Sequence, residues 1–406
     1  MGSETERSKT RVKGFSDAEM DFQLIRQLGS TAYGGASVGE CLAVAERIRD
    51  GIPSSWVEEF AKLAQIQKTD AEERAAKGHR ISAREQYLKA CNSYRAAEYY
   101  TNYRDPVHRK LGIKSRECFT EAMKFAGHTF ESEDLPFGNI TLPLYFMSPS
   151  KDGKKRKTLM IVSGFDGTTE EEYLQTGYAA LKRGFNIILF AGPGQMDTLR
   201  FHPDTFFEPD FENPVSTVLD YVTGRNDVDT ERIALLGISF GGYFATRAAS
   251  REPRIKALVA NSPIIDLHKY MIGFVGFDPA EMPDDEDFRP QDLPEIPEDV
   301  MSTQMKEMAQ NLMGRFGQTS FKKTFQYMRQ FMVGEALADI SCPCFAMAGM
   351  GEGVEPQRQF KVFCDGVSGP VSSRLFTQEE GADSHCQVGN LSFANAVYLD
   401  WLDELF

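Results

Sequence analysis

The sequence predicts an α/β fold preceded by a helical region and interrupted by a long helical insertion, and three observations carry that reading. From about residue 127 onward, short and almost wholly apolar runs alternate with helical stretches, the pattern of parallel strands covered on both faces by helices. Before that point apolar residues recur only at helical spacing, as in Leu24, Ile25, Leu28 and then Leu42, Ala45, Ile48. Between the strand-like runs ending at Ala260 and starting at Cys344 lies a connection too long for an ordinary loop. The chain's 406 residues exceed one typical domain.

Taken in order, residues 15–126 read as all-α. Four S-x-x-E sequences, Ser16…Glu19, Ser37…Glu40, Ser55…Glu58 and Ser82…Glu85, read as capping boxes that open helices. Asp105-Pro106 opens a fifth, with proline at the first helical position. Strands are expected at Ile140–Phe146, Thr158–Ser163, Asn186–Phe190, Ile233–Gly237, Ala257–Ala260, Cys344–Ala348 and Ser373–Thr377, with helices near Glu170–Arg183, Pro214–Thr223, Phe240–Ser250 and Leu391–Leu405. The division is therefore a helical cap and dimerisation region over 1–126, a core over 127–266, a lid insertion over 267–340 and a second core segment over 341–406. The insertion holds an acidic, proline-rich stretch, Asp278–Glu298, and half of the sixteen methionines. Met301, Met305, Met308 and Leu312 share one helical face, which either packs on the core or lines a pocket for a flat apolar substrate.

Composition narrows the function. Lys and Arg number 45 against 59 Asp and Glu, a net charge of −14, which disfavours nucleic acid and anionic membrane as partners. The N-terminus is polar and no apolar stretch is long enough to span a bilayer, so a cytoplasmic protein is expected. Seven scattered cysteines are not a disulfide framework, and Cys342 and Cys344 lack a histidine at zinc-site spacing. No metal or cofactor is expected. The Gly237–Gly242 run does not match the dinucleotide-binding glycine pattern.

Gly237-Ile238-Ser239-Phe240-Gly241 follows the apolar run Ile233–Leu236 and opens a small-residue helix. It reads as a nucleophile elbow with Ser239 as the attacking group, because a sharp strand-to-helix turn needs small neighbours where the backbone crosses closely. A serine nucleophile needs an imidazole and an orienting carboxylate. Of six histidines, His385 lies after the last strand and before the final helix, in Gly381-Ala382-Asp383-Ser384-His385-Cys386-Gln387, where the base belongs in a serine-acid-histidine order. The acid is expected on the loop after Cys344–Ala348, where Glu352 is the choice and Glu355 its rival. Asp383 reads as a turn former. The oxyanion donors are expected to be the N–H groups of Phe240 and, from Gly164-Phe165-Asp166-Gly167, of Phe165. Asp166 reads as a carboxylate tying that loop, and Gly192-Pro193-Gly194-Gln195 as a turn shaping the pocket wall.

With these residues placed, the chain resembles a branch of the α/β-hydrolases that includes dihydroxypseudooxynicotine hydrolase and the fungal polyketide-shortening hydrolases of yellowish-green pigment and melanin pathways. The resemblance rests on Ser82–Ala90 with Tyr94–Glu98, then Gly164–Gly167, Gly192–Gln195, Gly237–Gly242 and Gly381–Gln387, and it spans nearly the whole length. It implies an α/β-hydrolase fold and hydrolysis of a carbon–carbon bond beside a ketone, with a small aromatic or polyketide substrate and release of a short keto acid. Related enzymes commonly carry aspartate in the acid loop; this chain has Glu352. The same triad cleaves esters, so an esterase, lactonase or thioesterase is the alternative reading.

Overall fold

The computed structural model describes residues 4–406; the first three residues of the N-terminal region lie outside it. One eight-stranded sheet organises the chain: β1 (Glu131–Phe137), β2 (Ile140–Met147), β3 (Arg156–Val162), β4 (Asn186–Phe190), β5 (Val228–Ile238), β6 (Ala257–Asn261), β7 (Cys344–Gly349) and β8 (Val371–Phe376). Their order is β1-β2-β4-β3-β5-β6-β7-β8. β2 runs antiparallel to both β1 and β4, and the remaining pairings are parallel. This is an α/β-hydrolase sheet. Strand β4 is wholly buried, as are β6 and β7, which is why they read as unbroken apolar runs. The sequence reading misses β1. Its residues, Glu-Ser-Glu-Asp-Leu-Pro-Phe, are mostly exposed, and an edge strand tolerates both the charges and Pro136.

The N-terminal helices α1 (Ala18–Gly29), α2 (Val38–Ala45), α3 (Pro53–Ala76), α4 (Arg80–Tyr99) and α5 (Pro106–Met123) cover one face of the sheet. They share its core: Phe119 of α5 stacks on Tyr145 of β2, ring centroids 5.4 Å apart, and buried Trp56 packs on Phe60 at 4.6 Å while donating its indole N–H to Ala96 O at 2.9 Å. The opposite face is covered by the helices Glu212–Thr223 and Gly241–Ala249 and by the insertion, whose helices span Leu267–Val275, Thr303–Arg315 and Phe321–Met328.

The capping boxes are corrected by the structure. Only Ser37 occupies an N-cap, and its side chain makes no capping bond. At α1 the cap is Asp17, which accepts from Met20 N–H, while Asp50 takes the N–H groups of Ser16 and Asp17. Pro53 starts α3 ahead of Ser55, and Arg80 starts α4 ahead of Ser82. At α3 the proline at the first helical position overrides the box. Asp105 does cap α5, accepting from Val107 N–H at 2.8 Å. The expected helix 170–183 is interrupted by a π-helical turn at Tyr173–Gly177, a feature that recurs at functional sites. All seven cysteines are free thiols.

The insertion's methionine face matches neither sequence reading in full. Met305 and Met308 are exposed, and Met301 and Leu312 are half-buried against the core. Other residues tie the insertion down. Buried Arg315 donates to Gly194 O at 2.5 and 3.0 Å, and Gln195 of the same turn donates to Ser163 O at 2.6 Å. The turn at 192–195 thus links the insertion to the loop after β3.

The helical region is locked to the core by charge. Arg200, 1% exposed, donates to Glu98 of α4 at 2.9 and 3.3 Å, to Glu170 at 3.0 Å and to Asp197 at 2.9 Å. Removing the cation leaves three buried carboxylates uncompensated. Arg200→Met is therefore expected to cost about 3–5 kcal/mol in urea denaturation, or to prevent folding. A loss below about 1 kcal/mol, the range of exposed pairs, would show that the network does not hold the two regions together.

Candidate active site

Ser239 sits between β5 and the helix Gly241–Ala249 with φ of 61°, a left-handed backbone that a non-glycine residue adopts only under constraint. The neighbours explain how the turn closes. A Cβ on Gly237 would lie 2.0 Å from Gly241 O, and one on Gly242 would lie 1.8 Å from Ser262 O. Ser239 N–H is anchored to Asn261 O of β6 at 2.5 Å. The Ser239 hydroxyl is thereby raised above the C-terminal end of the parallel strands, where open α/β sheets bind ligands.

His385 follows β8 and Glu352 follows β7. His385 Nε2 is 2.8 Å from Ser239 Oγ, and His385 Nδ1 is 2.5 Å from Glu352 Oε2. Glu352 is completely buried; its oxygens also accept from the Ser262 hydroxyl at 2.9 and 3.0 Å and from Gly349 N–H at 2.7 Å. These donors fix the carboxylate's direction. Burial works against a charged His385 ring, but the neighbouring Cys386 and Glu352 outweigh it and hold its pKa above the ordinary value.

The rival acids are placed elsewhere. Glu355 accepts from Arg358 at 2.6 and 2.7 Å and from Gln359 at 2.7 Å. Asp383 accepts from the N–H groups of Lys9 and Thr10 and from the Thr10 hydroxyl, at 3.1, 3.2 and 2.6 Å. It clamps an N-terminal strap that the sequence reading missed. Along this strap Glu6 N–H donates to Glu352 O, Glu355 N–H to Glu4 O and His385 N–H to Arg7 O, at 2.7, 3.0 and 2.7 Å. Both loops that carry the row are therefore braced by residues 4–10, a polar stretch with no periodicity to betray it.

Phe240 follows the nucleophile, and the 164–165 loop packs directly on the elbow: a Cβ on Gly164 would lie 2.6 Å from Phe240 N and 3.0 Å from Ser239 Cβ. The loop is held from both sides. Asp166 accepts from Arg26 of α1 at 2.9 Å, and the Arg315 guanidinium stacks 4.3 Å from the Phe165 ring centroid. Around Ser239 and His385 lies a narrow pocket, walled by Arg7 and Phe22 from the N-terminal region, by Asp166 and by Glu172 and Gln175. No insertion methionine lines it. The Arg7 guanidinium stacks on Phe22 and Phe274, at 5.8 and 5.1 Å, and has Glu19 at 3.8 Å. No helix of the described residues is long and apolar enough to cross a membrane.

The mostly parallel sheet, the strained serine elbow and the serine-histidine-glutamate row define an α/β-hydrolase. The family model for FrsA-like esterases matches residues 48–275, more than half of the chain, and hydrolase ORFZ of Pyricularia oryzae is 30% identical over 97% of each chain. The chain belongs to the FrsA-like esterase family. It is also similar to hydrolase LUC6 of a Fusarium species, 35% identical over 62% of each chain, and to 20-hydroxy-prefusarin hydrolase FUS2 of Gibberella moniliformis, 37% identical over 63% of each. In those two relatives the matched segment covers less than two thirds of their length. The solved structure of 2,6-dihydroxy-pseudo-oxynicotine hydrolase shares the fold, with a TM-score of 0.72, 19% identity and coverage of 92% of this chain and 94% of that one.

Proposed function

We propose that the chain hydrolyses a carbon–carbon bond beside a ketone in an aromatic polyketide, with Ser239 as nucleophile, His385 as general base and Glu352 as the orienting acid. The observation that carries these three roles is the continuous row Ser239 Oγ, His385 Nε2, His385 Nδ1, Glu352 Oε2, with contacts of 2.8 and 2.5 Å; the choice of a carbon–carbon bond rests on the resemblance to ketone-cleaving hydrolases. His385 takes the Ser239 proton as Oγ adds to the ketone, and the alkoxide is met by the N–H groups of Phe240 and Phe165, each donor contributing about 3 kcal/mol. Collapse breaks the carbon–carbon bond. The departing carbanion is an enolate or an electron-rich aryl carbon, and it takes the proton from His385. Water, deprotonated in turn by His385, releases the acid and restores the serine. A relative named for 20-hydroxy-prefusarin supports an elaborate small-molecule substrate.

Ester hydrolysis is the second reading, favoured by the esterase name of the matching family; the row makes the same attack on an ester with a better leaving group. Benzoylacetone, an aromatic β-diketone, separates the two. Hydrolysis of one of its carbon–carbon bonds adds one water and gives acetate with acetophenone, or benzoate with acetone. Formation of either pair, absent in Ser239→Ala, is the expected result. Rapid turnover of 1-naphthyl acetate with no acid formed from benzoylacetone or larger aromatic polyketide ketones would decide for the esterase.

A further inference from the structure

Three consecutive glutamates, Glu170, Glu171 and Glu172, follow the 164–168 loop, and all three are buried. The first two are matched by cations. Glu170 accepts from the Tyr145 hydroxyl at 2.7 Å and from Arg200 at 3.0 Å. Glu171 accepts from Arg26 at 2.5 and 2.7 Å and has Arg95 Nε at 3.5 Å. Glu172 is 1% exposed, and neither of its carboxyl oxygens has a hydrogen-bond partner among the described residues. It forms part of the wall of the cavity that holds Ser239 and His385, and Gln175, 8% exposed, lies on the same wall.

A buried polar group without a partner is costly, and native structures keep one only where something else satisfies it. Here the backbone continues from Glu172 into the π-helical turn Tyr173–Gly177, which departs from the regular helical register where Glu172 and Gln175 meet the cavity. We propose that Glu172 is a substrate-binding and specificity residue, whose carboxyl group hydrogen bonds a ketone or phenolic oxygen of the molecule held against Ser239. Burial, followed by the nearby carboxylates of Asp197, Glu171 and Glu170, raises its pKa well above the usual carboxylate range. A protonated carboxyl carries one O–H donor and remaining acceptor capacity, so it serves an oxygen-rich, uncharged ligand. Arg26 and Arg200 are engaged by Glu171 and Glu170, and neither pairs with Glu172. The proposal rests on the reading of this cavity as the place where substrate binds.

The test measures binding rather than turnover. In the Ser239→Ala background, benzoylacetone and butyrophenone share a phenyl ring and a four-carbon chain and differ by one ketone oxygen. Calorimetric titration is expected to show about tenfold tighter binding of benzoylacetone, the effect of one hydrogen bond in a dry site. Adding Glu172→Gln, which keeps a donor and an acceptor, is expected to preserve most of that preference. Glu172→Leu is expected to erase it while binding of butyrophenone stays within about threefold. A preference unchanged in Glu172→Leu, or lost equally in both variants, or absent from the start, would overturn the proposal. Fluorophosphonate labelling of Ser239 in otherwise unmodified Glu172→Leu reports separately on the cavity and the nucleophile. Labelling retained with the preference lost supports a substrate contact, whereas labelling lost with it shows a structural role and overturns the specificity reading.

Discussion

Replacing Ser239 by alanine is expected to lower kcat/KM by ~10⁴- to 10⁶-fold while the circular dichroism spectrum and urea midpoint stay close to those of the parent chain. The size follows from the geometry. Ser239 Oγ is bonded to His385 Nε2, and it is presented by a turn whose φ of 61° is strained before any substrate binds. Alanine keeps the backbone, the His385–Glu352 contact and the packing of Gly164 on the elbow, so only the nucleophile is removed. Residual activity within tenfold of the parent would mean that the chemistry lies elsewhere.

Glu352→Gln is expected to cost ~10⁴-fold in kcat, the scale seen when an orienting carboxylate becomes an amide. Three donors converge on Glu352: His385 Nδ1, the Ser262 hydroxyl and Gly349 N–H. A glutamine offers one acceptor oxygen and turns two N–H donors against the others, so the imidazole loses its tautomer and direction. Glu355→Gln is expected to stay within a few-fold, because Glu355 is engaged by Arg358 and Gln359 instead. The pH profile carries the same information. Attack needs a neutral imidazole, so kcat/KM falls as pH drops through the His385 pKa, and the raised pKa places that acid limb above the ordinary histidine value of 6.5. Removing the Glu352 charge takes away one of the influences that raise it, and the limb is expected to move to lower pH in Glu352→Gln. A limb that stays in place, or a Glu355→Gln variant more damaged than Glu352→Gln, would contradict this assignment.

What the sequence disclosed depended on how local each signal was. Strands β4, β6 and β7 were legible because parallel strands buried on both faces are apolar throughout; β1 was not, since an edge strand can be acidic and carry Pro136. Ser239 and His385 could be located because glycine spacing and chain order are linear features. Chain position favours Glu352 but leaves Glu355, three residues on, as a rival; their partners, Ser262 in one case and Arg358 in the other, separate them in space. The strap at 4–10 and the lone carboxyl of Glu172 left no sequence signal. The first is polar without period. The second follows two glutamates of the same type, and only the positions of Arg26 and Arg200 reveal which of the three is unmatched.

The most direct measurement is to react the protein with a fluorophosphonate and map the modified peptide by mass spectrometry. Stoichiometric labelling of Ser239, blocked in Ser239→Ala and slowed in His385→Ala, is the expected result. Labelling of a different residue, or none under conditions where a known serine hydrolase reacts fully, would contradict the assignment of this elbow as the seat of catalysis.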